Sequence, residues 1–203
     1  MKYIKKIKTK TVETFLGVNL KPNTISIGFD VASYITGVAI IKTSNDYLTV
    51  ELLEEIKVPK LNKKIKTREM LDNVDLFTEQ LDYLKNKISN LYKLDVNRIE
   101  DCFLKFGNVR TVKSLARASI LVYDRFKRIS KDIDLIMPTS ARAKIKFKKS
   151  NKKIKDNDLK KEIVAYINNA LDLDLKPKDE NKADAIVLAL AGLTGEIIKR
   201  KKL

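Results

Sequence analysis

The chain of 203 residues contains no histidine, no tryptophan and a single cysteine, Cys102. Without histidine, Ser-His-Asp and Cys-His catalysis are excluded, and so are histidine-rich zinc sites. One cysteine cannot form an internal disulfide or a cysteine-cluster zinc site, and it fits a reducing, cytoplasmic compartment. No run of about 18 apolar residues occurs, so no membrane-spanning helix is expected. The basic N-terminus lacks an unbroken apolar stretch and a small-residue cleavage site, so it does not read as a secretory signal. If the chain is an enzyme, carboxylates must carry its chemistry.

Positive charge is what the sequence has in excess. Lys and Arg number 42 against 26 Asp and Glu, a net charge of +16. An excess of this size points to a phosphate-bearing partner, although a generally lysine-rich surface is the plain alternative. The length suits one domain, and 44% hydrophobic residues suffice for a core.

Residues 1–23 form a basic N-terminal extension that reads equally as a loose arm, a strand or a helix. From Thr24 the pattern is clear. Ile25, Ile27 and Phe29 alternate with Ser26, Gly28 and Asp30, which is strand periodicity. Apolar runs over 34–41 and 47–58, separated by Ser44-Asn45-Asp46, complete a three-stranded antiparallel meander. Residues 67–92 repeat apolar side chains from Met70 to Leu91 at helical spacing. A short strand is expected over 98–104. A helix over 110–129 should use Val112, Leu115, Ala116, Ile120 and Phe126 as its apolar face. A strand over 133–137 is ended by Pro138. Residues 141–157 read as a low-complexity basic loop, followed by helices over 159–171 and 182–199. The order predicts an α/β fold in which a mixed sheet carries helices on both faces, as a single domain over 24–203.

Cleaving a phosphodiester with two metal ions requires several carboxylates converging on one point, each fixed at the end of a strand or the start of a helix. Asp30 ends the first strand and alternates away from Ile25, Ile27 and Phe29, at the sheet's edge; a plain turn aspartate is the competing reading. Glu100 lies in the short strand run, where a solvent-facing glutamate is the alternative. Glu180, Asn181 and Asp184 open the last helix, and Glu180 and Asp184 share a helix face. Capping accounts for Asp179 and Glu180 but poorly for Asp184, which precedes the apolar Ala185-Ile186-Val187-Leu188.

The segment Gly28-Phe29-Asp30-Val31-Ala32-Ser33-Tyr34-Ile35-Thr36-Gly37 resembles the opening motif of the RuvC family of Holliday junction resolvases, within the ribonuclease H-like superfamily. Ile99-Glu100-Asp101-Cys102-Phe103, followed by Ser114-Leu115-Ala116-Arg117-Ala118, is similar to the family's second motif. Ala183-Asp184-Ala185 is similar to the third. Lysine and asparagine abundance is more like that of a phage or AT-rich bacterial relative.

The resemblance implies a ribonuclease H-like fold, a homodimer, Mg²⁺ or Mn²⁺ (two per site), and paired nicks in four-way DNA junctions during recombination or repair. It implies Asp30, Glu100 and Asp184 as metal-binding acids, with Glu180 or a neutral Asn181 as the fourth ligand. Phe103 matches an aromatic placed near the crossover, or else belongs to the core. Lys160 and Lys161 resemble a basic residue near the scissile phosphate, or form a solvated helix end. Lys105, Arg110, Arg142 and Lys144 complete the expected nucleic-acid contacts, the last two within the basic run, which should read backbone geometry more than sequence. A ribonuclease H-like nuclease acting on other branched DNA or on RNA–DNA hybrids uses the same acids. A non-catalytic junction-binding protein remains the third reading.

Overall fold

Ile25–Asp30 forms β2, the central strand of a six-stranded sheet in the order β1-β4-β3-β2-β5-β6. The computed structural model describes residues 4–32, 34–58, 67–101, 109–151 and 155–195, with the side chains of 67–73 and 109–113 outside that description. β3 (Ile35–Thr43) and β4 (Tyr47–Lys57) complete the antiparallel meander. β5 (Leu94–Glu100) and β6 (Ser130–Ile136) add in parallel on the other side of β2. Because β2 is covered on both faces, every residue from Ser26 to Asp30 is buried. Asp30 therefore sits at the carboxyl end of a central strand and not at an edge.

The N-terminal residues resolve into strand then helix. β1 (Lys5–Lys8) pairs with β4 at the sheet's edge, and α1 (Thr9–Leu16) buries Val12 and Leu16. Residues 5–16 of the extension expected over 1–23 thus join the same sheet and core as the residues from Thr24 onward.

Two cores flank the sheet. On one face α2 (Thr67–Ser89) and α3 (Val109–Phe126) cover Ile27, Phe29, Val38, Ile40 and Ile99. Phe29 and Phe126 stack there with ring centroids 4.7 Å apart. Two expectations fail on this face. Leu91 lies beyond the end of α2 and is exposed, and Ile120 is 62% exposed. The buried stripe of α3 runs through Ser119, Val122 and Phe126, a spacing of three and four that turns Ile120 outward.

On the other face lie α1, α4 (Pro138–Lys144), α5 (Asp156–Leu171) and α6 (Glu180–Leu193). α6 starts two residues earlier than its apolar run suggests, after a 3₁₀ turn at Pro177–Asp179. Asp179 precedes it but makes no side-chain cap; its carboxylate accepts from the Lys176 N–H and the Lys182 ammonium.

The basic stretch is not one loop. Pro138 opens α4 at its first turn, where a missing N–H costs nothing. Ala141 and Ile145, four residues apart, are fully buried. Lysines between the buried positions hide this short amphipathic pattern in the sequence.

Glycines let α6 lie directly on the strands. A Cβ on Gly28 would stand 2.2 Å from the Ala185 carbonyl oxygen and 2.5 Å from the Ala189 nitrogen. One on Gly37 would stand 2.1 Å from the Asn181 carbonyl oxygen. Backbone thus meets backbone across β2, β3 and α6, and this contact sets the depth of Asp184.

Candidate active site

Parallel pairing of β2 with β5 puts Phe29 opposite Ile99. The next residues, Asp30 and Glu100, therefore emerge side by side at the carboxyl ends of neighbouring parallel strands. Both point to the α6 face, as does Gly28. Asp184 reaches the same place from the second turn of α6. Asp30, Glu100 and Asp184 line one pocket, walled by Pro138, Ala141, Val187 and Leu188. The hydroxyl of Ser119 donates to the Glu100 carbonyl at 3.2 Å and ties α3 to the same strand end.

Burial dominates the electrostatics. It pushes the Asp30 carboxyl well above the usual carboxylate range, and a hydrogen bond with Glu100 and the charges of Glu100 and Asp184 push it further. Glu100 is also raised by burial, and its hydrogen bond with Asp30 opposes that rise. Asp184 is raised by burial against the opposing pull of Arg142. Three acids that resist ionising together hold a proton between them or need cations.

Two cations answer them. Arg142 of α4 donates to Asp184 at 3.0 Å, and both side chains are largely buried. The Arg142 Nε is buried without a partner. Lys160 of α5 bonds to Glu180 at 2.5 Å, and its charge also reaches Asp30, Glu100 and Asp184.

The expected site residues thus fall into groups. Asp30, Glu100 and Asp184 come together. Glu180 lies one turn up α6, close enough to raise Asp184, but it does not line the pocket. The Asn181 carbonyl caps Gly37. Lys161 is exposed and pairs with Asp158, away from the acids. Lys144 is exposed at the end of α4. Arg142, expected to contact DNA from a basic loop, lies in α4 and pairs with Asp184. Phe103 and Lys105 lie outside the described residues, as does the side chain of Arg110. Sequence reasoning missed the packing role of Gly28 and Gly37. Their signal was present, since both flank the first acid in paired strands.

The donor set suits a hard divalent cation: carboxylate oxygens in a partly dry pocket, with charge in excess of what the fold tolerates. Among the described residues, no three acidic or cysteine side chains enclose a cation as they stand. Asp30 faces Glu100, and Asp184 faces Arg142, so the acids are compensated by a hydrogen bond and an ion pair.

No family model matches the sequence, and no curated protein matches it. Solved structures do. The chain resembles Thermus thermophilus RuvC in complex with a Holliday junction substrate, with a TM-score of 0.58 and 13% identity over 83% of this chain and 92% of that one. A Thermus thermophilus RuvC structure matches with a TM-score of 0.55, at the same identity and coverage. The yeast mitochondrial Holliday junction resolvase Ydc2 matches with a TM-score of 0.51 and 9% identity, over 90% of this chain and 82% of that one. The mixed sheet, its strand order and the helices on both faces give this chain the ribonuclease H-like fold of the RuvC resolvases.

Proposed function

We propose that this chain is a metal-dependent endonuclease that resolves four-way DNA junctions. One observation carries the reading: acids from the ends of β2 and β5 and from α6 meet in a single buried pocket. Shared fold with RuvC and Ydc2 and the net charge of +16 support it.

In this reading Asp30, Glu100 and Asp184 hold the ions, with Glu180 as fourth ligand once Lys160 releases it. Mg²⁺ or Mn²⁺ bound there would lower the pKa of a water and neutralise phosphate charge. The strand ends fix the direction of Asp30 and Glu100, and Val187 and Leu188 keep the pocket partly dry. Arg142 and Lys160 are the nearest cations and oppose charge gathering on the phosphate as water attacks phosphorus. Cleavage leaves a 5′-phosphate and a 3′-hydroxyl. Phe103, Lys105, Arg110, Lys144 and Lys161 are proposed to contact DNA around the site.

Two like-polarity strands need two such sites, hence a homodimer. α2 and α3 pack together and leave Leu76, Tyr83, Ile120 and Tyr123 exposed, the apolar surface that favours self-association. No helix among the described residues is long and apolar enough to cross a membrane; the proposed place of action is the cytoplasm, on recombining DNA.

A synthetic four-way junction incubated with Mg²⁺ or Mn²⁺ should acquire symmetric nicks, absent from linear duplex and lost in Asp30→Asn. Tight junction binding with no cleavage under either metal would sink the enzyme reading and leave a binding protein. Cleavage of a flap or hybrid in preference to the junction would move the substrate assignment.

A further inference from the structure

Cations also gather where the N-terminal segment meets the turn after α4. α1 ends at Gly17, which is left-handed, and the Gly17 carbonyl accepts a hydrogen bond from the Lys146 ammonium. Lys146 itself adopts a left-handed φ of 57°. Tyr166 of α5 ties the same two segments. Its hydroxyl donates to the Ile145 carbonyl at 2.8 Å, and its ring meets both Phe15 of α1 and Phe147, each with centroids 5.2 Å away.

Lys21, just beyond α1, and Lys144, the last residue of α4, face the same carboxylate on β6. Asp132 is held below the usual range first by the hydrogen bond from Arg98, then by the charges of Lys21 and Lys144. Lys21, Lys144, Lys148 and Lys149 are all exposed. None of these four forms an ion pair with a described carboxylate, whereas Lys5, Lys87, Lys131 and Lys176 elsewhere on the surface do.

We propose that residues 17–23 and 144–149 form one cationic ledge that binds the phosphate backbone of a DNA arm flanking the cleaved strand. The proposal rests on the reading of the chain as a junction nuclease. Lys144 lies two residues beyond Arg142 on α4, so one helix carries both the partner of Asp184 and the first lysine of the ledge. Duplex DNA carries a phosphate charge about every 1.7 Å of its axis, and unpaired lysines neutralise it with release of counterions. The Lys146–Gly17 bond and the Tyr166 contacts hold the two lysine-bearing segments against each other, which a free basic loop could not do. Backbone contacts of this kind orient the duplex and carry no base preference. The N-terminal segment therefore supplies half of a binding surface as well as an edge strand.

The test is binding of a fluorescent four-way junction and of a linear duplex to the full chain, without divalent metal, between about 50 and 200 mM salt. Lys21→Glu/Lys144→Glu is compared with Lys85→Glu/Lys127→Glu, which changes net charge equally on the opposite side of the sheet. Loss of two phosphate contacts should reduce the slope of log K against log salt by about 1.8, and weaken junction binding roughly sixtyfold near 0.1 M salt. The control pair should leave the slope unchanged. Should the glutamate variant fail to fold, Lys21→Gln/Lys144→Gln must show the same slope loss. Normal junction binding with an unchanged slope overturns the ledge alone. No junction binding by the unmodified protein overturns the nuclease reading and the ledge together.

Discussion

Gly28→Ala tests the contact on which the acidic pocket is built. The added Cβ would stand 2.2 Å from the Ala185 carbonyl oxygen, and ordinary contact begins at 3.4 Å, so α6 must lift by 3.4 − 2.2 = 1.2 Å. Both opposing atoms are backbone, so no rotamer change relieves the clash. Overpacking of this kind costs about 1–3 kcal/mol, which lowers Tm by roughly 2–12 °C at this chain length. The helix that lifts carries Asp184. A shift of about 1 Å at a catalytic group costs on the order of a hundredfold in rate. Gly192→Ala supplies the internal comparison. Its Cβ would meet Ser26 Oγ at 2.6 Å and Val96 Cγ1 at 2.7 Å, buried side-chain atoms that yield only at a cost in packing, and it lies two turns beyond Asp184. Thermal unfolding and Mg²⁺-dependent nicking per folded molecule should therefore separate the two variants. Gly28→Ala should lose both stability and activity, and Gly192→Ala mainly stability. If Gly28→Ala keeps its Tm within about 1 °C and nicks normally, α6 does not rest on bare strand backbone, and the account of the site is wrong.

Other outcomes follow from the same geometry. Asp30, Glu100 and Asp184 have raised pKa values, so the folded state holds more protons than the unfolded chain once pH exceeds about 4. Metal-free stability should then fall as pH climbs above that range, because the slope takes the sign of unfolded minus native protons, and Mg²⁺ should offset the loss in thermal melts. Asp30→Asn removes the carboxyl that burial and its acidic neighbours most resist ionising, so without metal it should be at least as stable as the parent, by up to about 2 kcal/mol; it should also lose the metal-induced rise in Tm, and a Tm below that of the parent would contradict this. Arg142→Ala strips Asp184 of its partner, which raises that carboxyl further, so the acid limb of the nicking pH profile should move to higher pH; an unmoved limb would show that the arginine is not its counter-ion. Ile120→Glu should convert a dimer to a monomer in sedimentation velocity without lowering Tm, since the side chain is exposed; a stable monomer before substitution refutes the proposed interface.

Much of this protein was determined by its sequence alone. Period-two alternation over Ile25–Asp30 and the meander after it marked strands, although both faces of β2 are buried, and helical spacing in α2 and α5 and the apolar run of α6 report local burial directly. The strand-end position of Asp30 and the helix-head position of Asp184 were legible for the same reason, whereas the strand expected over 98–104 is Leu94–Glu100, so that Glu100 ends it instead of lying within it. What only the tertiary structure decided depends on contacts distant in sequence. Ile120 was assigned inward because helix periodicity gives a face but not which neighbour covers it. α4 was hidden because a short helix among lysines has too few apolar residues to show a period. Above all, Arg142 was read as a nucleic-acid contact in a basic loop and is the partner of Asp184, 42 residues away. A charge run in a sequence does not tell which of its members turn inward. That choice belongs to the fold, which buries three acids in one pocket and must set cations against them.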